Sequence, residues 1–215
     1  MGIISPTTGN DMRLSKLLAL AFALLAATLP AGPASAFSSS DVAYASVGGE
    51  TSIPYVWIVF CGRYKGECSA PALPAADVNL TASARREIQQ VNSFVNRAVE
   101  PVSDMDHWGM VDRWDYPVDG KGDCEDYALL KRKMLIERGY PRQALLVTVV
   151  RDQNNEGHAI LTVKTNAGEF ILDNLTDEMK PVDQVPYRLV KRQSQQDPNV
   201  WVALGPAAAP VVAAR

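Results

Sequence analysis

Residues 120–130 read Gly120-Lys121-Gly122-Asp123-Cys124-Glu125-Asp126-Tyr127-Ala128-Leu129-Leu130, a glycine-flanked turn that delivers a cysteine to the first turn of a helix. A helix N-terminus carries free N–H groups and roughly half a positive charge, which favours thiolate over thiol and leaves donors for an oxyanion. Cys124 therefore reads as a nucleophile. Asp123 is a fair N-cap, and Tyr127, Leu130, Met134 and Leu135 recur at helical spacing, so the cysteine sits on an element anchored by an apolar face. Free cysteine is also among the most buried residue types, and the local motif by itself leaves a structural role open.

The 215 residues are 47% hydrophobic and 21% charged with net charge −3, the balance of one globular domain of moderate size. No basic run tracks a phosphate backbone, which excludes an evident nucleic-acid partner. Arg13 and Lys16 precede the apolar run Leu17 to Leu29, and Ala34-Ser35-Ala36 follows as a small-residue cleavage site. Residues 1–36 read as a secretory signal peptide, with Met12 the expected true start. The apolar run is shorter than the roughly 20 residues that span a bilayer. The expectation is an exported protein with a domain over 37–204 and a disordered Ala/Pro/Val tail over 205–215.

Export changes how cysteines are read, because disulfides persist outside the cytoplasm. Cys61 and Cys68 flank a polar, glycine-containing segment that closes into a small loop, and they are expected to pair. Cys124 is the odd thiol left over. Zinc is disfavoured: the chain has two histidines and no second close cysteine pair.

From Phe37 to about Val78 the chain is rich in Ser, Gly, Pro and Ala, and an irregular wrap is expected apart from the apolar run Tyr55 to Phe60. Thr81 or Ser83 caps a helix that runs to about Val99, with Ile88, Val91, Val95 and Ala98 on its core stripe, and Pro101 stops it. The stretch Asp104 to Pro117 holds acids and three aromatics, Trp108, Trp114 and Tyr116, and is expected to wall a substrate groove. The Cys124 helix ends near Gly139. β-like segments follow at Ala144 to Val150, His158 to Val163 and Glu169 to Leu172, separated by turn signals, as an antiparallel meander behind the helix. Edge strands are expected around Tyr187 to Val190 and Val200 to Leu204. The fold class is α+β.

A thiol nucleophile needs a base, and the base needs an orienting group. His158 opens the second β-like segment and Asp173 closes the third. If these form a hairpin, the two become cross-strand neighbours at its open end. His107 is the rival base, in a loop-like stretch with no strand to hold it.

Gly122-Asp123-Cys124-Glu125-Asp126-Tyr127-Ala128, Gly157-His158-Ala159 and Leu172-Asp173-Asn174 together resemble the bacterial transglutaminase-like cysteine proteinases, including the LapG-type periplasmic proteases. The resemblance spans about Trp108 to Val190 and matches that family's Cys, His and Asp in order and spacing. It implies a papain-like or transglutaminase-like core, a nucleophile-bearing helix packed on an antiparallel sheet. It also implies a large surface adhesin as substrate, release of biofilm cells as outcome, and an inner-membrane cyclic-dinucleotide receptor as sequestering partner.

Asp123, Glu125 and Asp126 crowd the proposed thiolate. A like charge about 5 Å away at an effective dielectric near 20 costs on the order of 3 kcal/mol, or roughly 2 pKa units. Three carboxylates on a turn entering a helix are suitable oxygen ligands for Ca²⁺, although their spacing is not that of an EF-hand. Calcium dependence is also what the resemblance implies. The plainer reading is that the acids favour the helix N-terminus. Two other functions share the sequence features: transglutaminase or amidase acyl transfer through the same thioester, and a non-catalytic exported binding module.

Overall fold

The computed structural model describes residues 42–208, so the signal peptide expected over residues 1–36 lies outside the described residues, as do 37–41 and 209–215. In chain order the elements are β1 (Tyr44–Thr51), α1 (Tyr55–Arg63), α2 (Lys65–Cys68), α3 (Ala82–Ala98), β2 (Glu100–Pro101), α4 (Asp104–Trp108), β3 (Lys121–Gly122) and α5 (Cys124–Glu137). Six strands follow: β4 (Leu145–Arg151), β5 (Gly157–Thr165), β6 (Gly168–Asp173), β7 (Thr176–Pro181), β8 (Arg188–Gln193) and β9 (Trp201–Ala208). Seven strands make an antiparallel sheet in the order β1-β9-β8-β4-β5-β6-β7. The architecture is α+β, with the cysteine helix on the sheet.

The meander is β4 to β7, and β8 returns to pair with β4. The segments expected as edges, β8 and β9, are therefore inner strands. The edges are β7 and β1, and β1 replaces much of the irregular wrap expected at the N-terminal side. Its Ser/Gly-rich sequence carries little strand propensity. It is held instead by pairing with β9, whose partner residues reach Ala208 and so take the first four residues expected in the tail. The sheet curls far enough that Glu169 on β6 donates its N–H to Ala43 O, 2.8 Å away, just before β1.

Both sheet faces are covered, following the period-two alternation of the strands. Leu145, Leu161, Val163, Phe170 and Leu172 face α3 and α5, meeting Ile88, Val91, Val95, Tyr127 and Leu135. Val150, Ile160, Ile171 and Leu189 form the opposite layer with Ala43, Ala45 and Val182. On α3, Thr81 caps Ala84 N at 3.1 Å as expected, but Ala98 is exposed and Val99 takes its place in the core.

The apolar run Tyr55 to Phe60 folds as α1, where Trp57 and Phe60 bury against Trp114, Leu129, Val147 and Trp201. Large aromatics three residues apart gain more from one buried face than a strand could offer them. Cys61 and Cys68 form the expected disulfide, joining α1 to α2. The last helix, α5, is buried around most of its circumference, not only along the expected stripe: Lys131 and Arg132 are buried too. Arg132 is compensated by Glu67 at 2.9 Å and by Leu145 O at 3.1 Å.

Candidate active site

The turn before α5 is fixed from outside. β2 pairs in parallel with β3, and Val102 donates to Gly122 O at 3.0 Å. The Tyr127 hydroxyl reaches back to Val99 O at 2.7 Å. Gly122 is required by close approach: a Cβ there would sit 2.5 Å from Asp126 Oδ2 and 2.8 Å from its Cβ. The Asp123 side chain does not cap the helix as expected; its Oδ2 accepts from Asp104 N at 3.1 Å.

Cys124 is the free cysteine and opens α5. Its Sγ accepts from Ala159 N at 3.4 Å and donates to Glu125 Oε2 at 3.1 Å. Burial, then the Glu125 charge, push the thiol pKa well above its ordinary value, while the Ala159 N–H pulls the other way. Desolvation and like charge thus oppose the positive end of the helix.

His158 lies on β5 and Asp173 at the end of β6. In the observed register Leu161 faces Leu172, so the two are diagonal rather than directly opposite. The diagonal is within reach: His158 Nε2 is 3.0 Å from Asp173 Oδ1. Burial alone would raise the Asp173 pKa, but the bonds from His158 and Tyr187 bring it below the usual carboxylate value. Cys124 and His158 line one cleft of about 470 Å³ with Trp114, Val149, Ala159 and Lys191.

Several expected residues lie elsewhere. Trp114 lines the cleft, but Trp108 stacks with His107 and under the Arg113 guanidinium, and Tyr116 packs among Phe60 and Tyr64. These two aromatics found partners nearer in space than the groove. His107 pairs with Asp119 at 2.8 Å, outside the cleft.

The acids beside Cys124 gather with two more that the local motif does not contain. Ligand oxygens of Asp104, Asp112 and Glu125 lie within 4.8 Å of one another, as do those of Asp104, Asp123 and Asp126. That spread suits oxygens sharing a hard cation with bonds of about 2.3–2.6 Å. Burial first, and then neighbouring acids, raise the pKa values of Asp112, Asp123 and Glu125, and that of Asp126 to about 8. Asp123 Oδ1 is buried without a hydrogen-bond partner. An all-oxygen donor set with an orphaned buried acceptor fits Ca²⁺. The same acids brace the loop from 104 to 117: Asp115 N donates to Asp126 Oδ1 at 2.7 Å, and Arg113 N donates to Asp104.

Residues 47–209 match the family described as bacterial transglutaminase-like cysteine proteinase BTLCP, and the chain belongs to that family of cysteine peptidases. Among solved structures, calcium-bound LapG from Legionella pneumophila is similar at 22% identity over 69% of this chain and 78% of that one, with a TM-score of 0.49. LapG from the same organism matches at 23% identity over the same shares with a TM-score of 0.48. Its EGTA-treated form matches at 22% over 71% and 81%, with a TM-score of 0.45. No curated protein sequence matches. No helix among the described residues is long and apolar enough to cross a membrane.

Proposed function

We propose that this chain is an exported, periplasmic cysteine endopeptidase with Cys124 as nucleophile, His158 as general base and Asp173 as the carboxylate that orients it. The observation that carries this reading is the hydrogen bond between His158 Nε2 and Asp173 Oδ1, beside the free thiol in a shared cleft. With Nε2–H donated to Asp173, Nδ1 is the ring nitrogen left to take the thiol proton. The thiolate sulfur then bonds to the peptide carbonyl carbon, and the backbone N–H of Cys124 at the head of α5 faces the developing oxyanion. His158 returns its proton to the leaving amine as the C–N bond breaks. Water, deprotonated by the same imidazole, releases the acyl group from sulfur.

The acids set the condition for this chemistry. Asp104, Asp112, Asp123, Glu125 and Asp126 would hold Ca²⁺, which supplies positive charge where their combined field otherwise opposes a thiolate. The resemblance extends the reading to a large surface adhesin as substrate, control of attachment as outcome, and an inner-membrane cyclic-dinucleotide receptor as the sequestering partner.

The test is intact-mass analysis of an adhesin fragment incubated with the enzyme, with and without Ca²⁺, beside Cys124→Ala. Two products from wild type and none from the variant are expected. Equal cleavage by the variant would end the proposal. Stable incorporation of a labelled primary amine into a glutamine-containing protein, without chain cleavage, would assign acyl transfer instead.

A further inference from the structure

Tyr187 stands immediately before β8 and meets both partners of the His158–Asp173 pair. Its hydroxyl donates to Asp173 Oδ2, and its ring centroid lies 5.2 Å from that of His158. The other carboxylate oxygen, Oδ1, accepts from His158 Nε2 at 3.0 Å and from Leu175 N at 3.1 Å. Both oxygens of a buried carboxylate are thus engaged, by donors from three different segments.

The terminal torsion of an aspartate is broad and roughly two-fold, so one hydrogen-bonded oxygen does not set the carboxylate plane. A second anchor on Oδ2 does. Asp173 and Tyr187 also line a cavity of about 130 Å³ with Leu175, Thr176 and Lys180. A cavity of that size has room for water, and the Tyr187 hydroxyl holds the acceptor that water would otherwise take.

We propose that Tyr187 is a positioning residue for the peptidase reaction, holding the plane of the Asp173 carboxylate and flanking the imidazole it orients. The proposal rests on the Cys124–His158–Asp173 reading above. Burial and the Asp173 carboxylate raise the Tyr187 pKa, so the hydroxyl remains a donor across the working range. The groups facing this corner are His158 from β5, Asp173 on β6, Lys180 on β7, Asp152 after β4, and Cys124 and Lys131 from α5. None of these others donates a hydrogen bond to Oδ2 in the structure.

Tyr187→Phe keeps the ring and removes only the donor. The readout is the rate of Cys124 alkylation by iodoacetamide as a function of pH in calcium-loaded protein, for wild type, Tyr187→Phe and His158→Ala, with thermal melting of each. Loss of one positioning hydrogen bond is expected to slow neutral-pH alkylation about tenfold. The alkaline end of the range in which thiolate and imidazolium coexist should move to lower pH. A Tyr187→Phe profile that superimposes on wild type, or a lowered melting temperature with an unmoved alkaline limb, overturns the proposal. If His158→Ala itself keeps the wild-type profile, the triad reading fails, and the tyrosine's role falls with it.

Discussion

The sulfur of Cys124 lies 3.1 Å from Oε2 of Glu125, the next residue of the same helix, with the thiol as donor. The Cys124 thiol proton is therefore shared with an acid whose own pKa is raised by burial and by Asp123. Glu125→Gln removes the second largest cause of the raised thiol pKa. In EGTA, this variant should alkylate several-fold faster than wild type at neutral pH. It should also lose the response to added Ca²⁺, because the amide is a weaker ligand. An unchanged alkylation profile in EGTA would mean that burial alone sets the thiol's pKa.

Calcium should stabilise the chain as well as activate it. A ligand at a hundredfold excess over its Kd contributes about 2.7 kcal/mol, which corresponds to roughly 5–10 °C for a domain of this size. Asp104→Asn and Asp126→Ala should each shrink that shift, measured by calorimetric melting with and without EGTA. The Asp104 variant is the sharper one, because its place in the cluster comes from the fold and not from the motif around Cys124.

Glu169 gives the fold an acid-sensitive clasp. Its carboxylate meets Arg192 at 2.7 Å and Lys164 at 2.9 Å, and accepts from Ala45 N at 3.1 Å. Burial alone would raise its pKa, but Arg192 and Lys164 together bring it below 4.5. The stabilisation is therefore complete above the unfolded value and is lost as pH falls through the lower folded one. Glu169→Gln should cost about 3–5 kcal/mol at neutral pH, since it leaves buried cations uncompensated. Denaturant melts at descending pH should show the gap to wild type closing below about 4.5.

The Cys61–Cys68 bridge closes a short loop at the join of α1 and α2. By loop entropy it contributes roughly 2.5 kcal/mol. Cys61→Ser with Cys68→Ser should lower the melting temperature by roughly 5–10 °C. The loss should exceed that estimate if Asn199 also loosens, since its amide donates to Cys68 O at 2.8 Å.

Features encoded by neighbours along the chain were readable before any fold was known. A cysteine after Gly122-Asp123, a stop at Gly139, the Thr81 cap, turns at hairpin intervals and two close cysteines are each read within a few residues. The α+β class and the family followed from them. The contact between His158 and Asp173 was legible because a hairpin of fixed length carries both.

Contacts that depend on strand order were not readable in this way. β8 is an inner strand because it pairs with β4 rather than with β7, and only that return brings Tyr187 to Asp173. Asp104 reaches the acids of α5 because β2 pairs with β3, a contact of two residues on each side that carries no periodicity. The run Tyr55 to Phe60 became a helix because Trp57 and Phe60 bury against Trp114 and Trp201, which lie far along the chain. Local patterns report what a segment can form; which side chains meet across the sheet is set by burial that no single segment achieves alone.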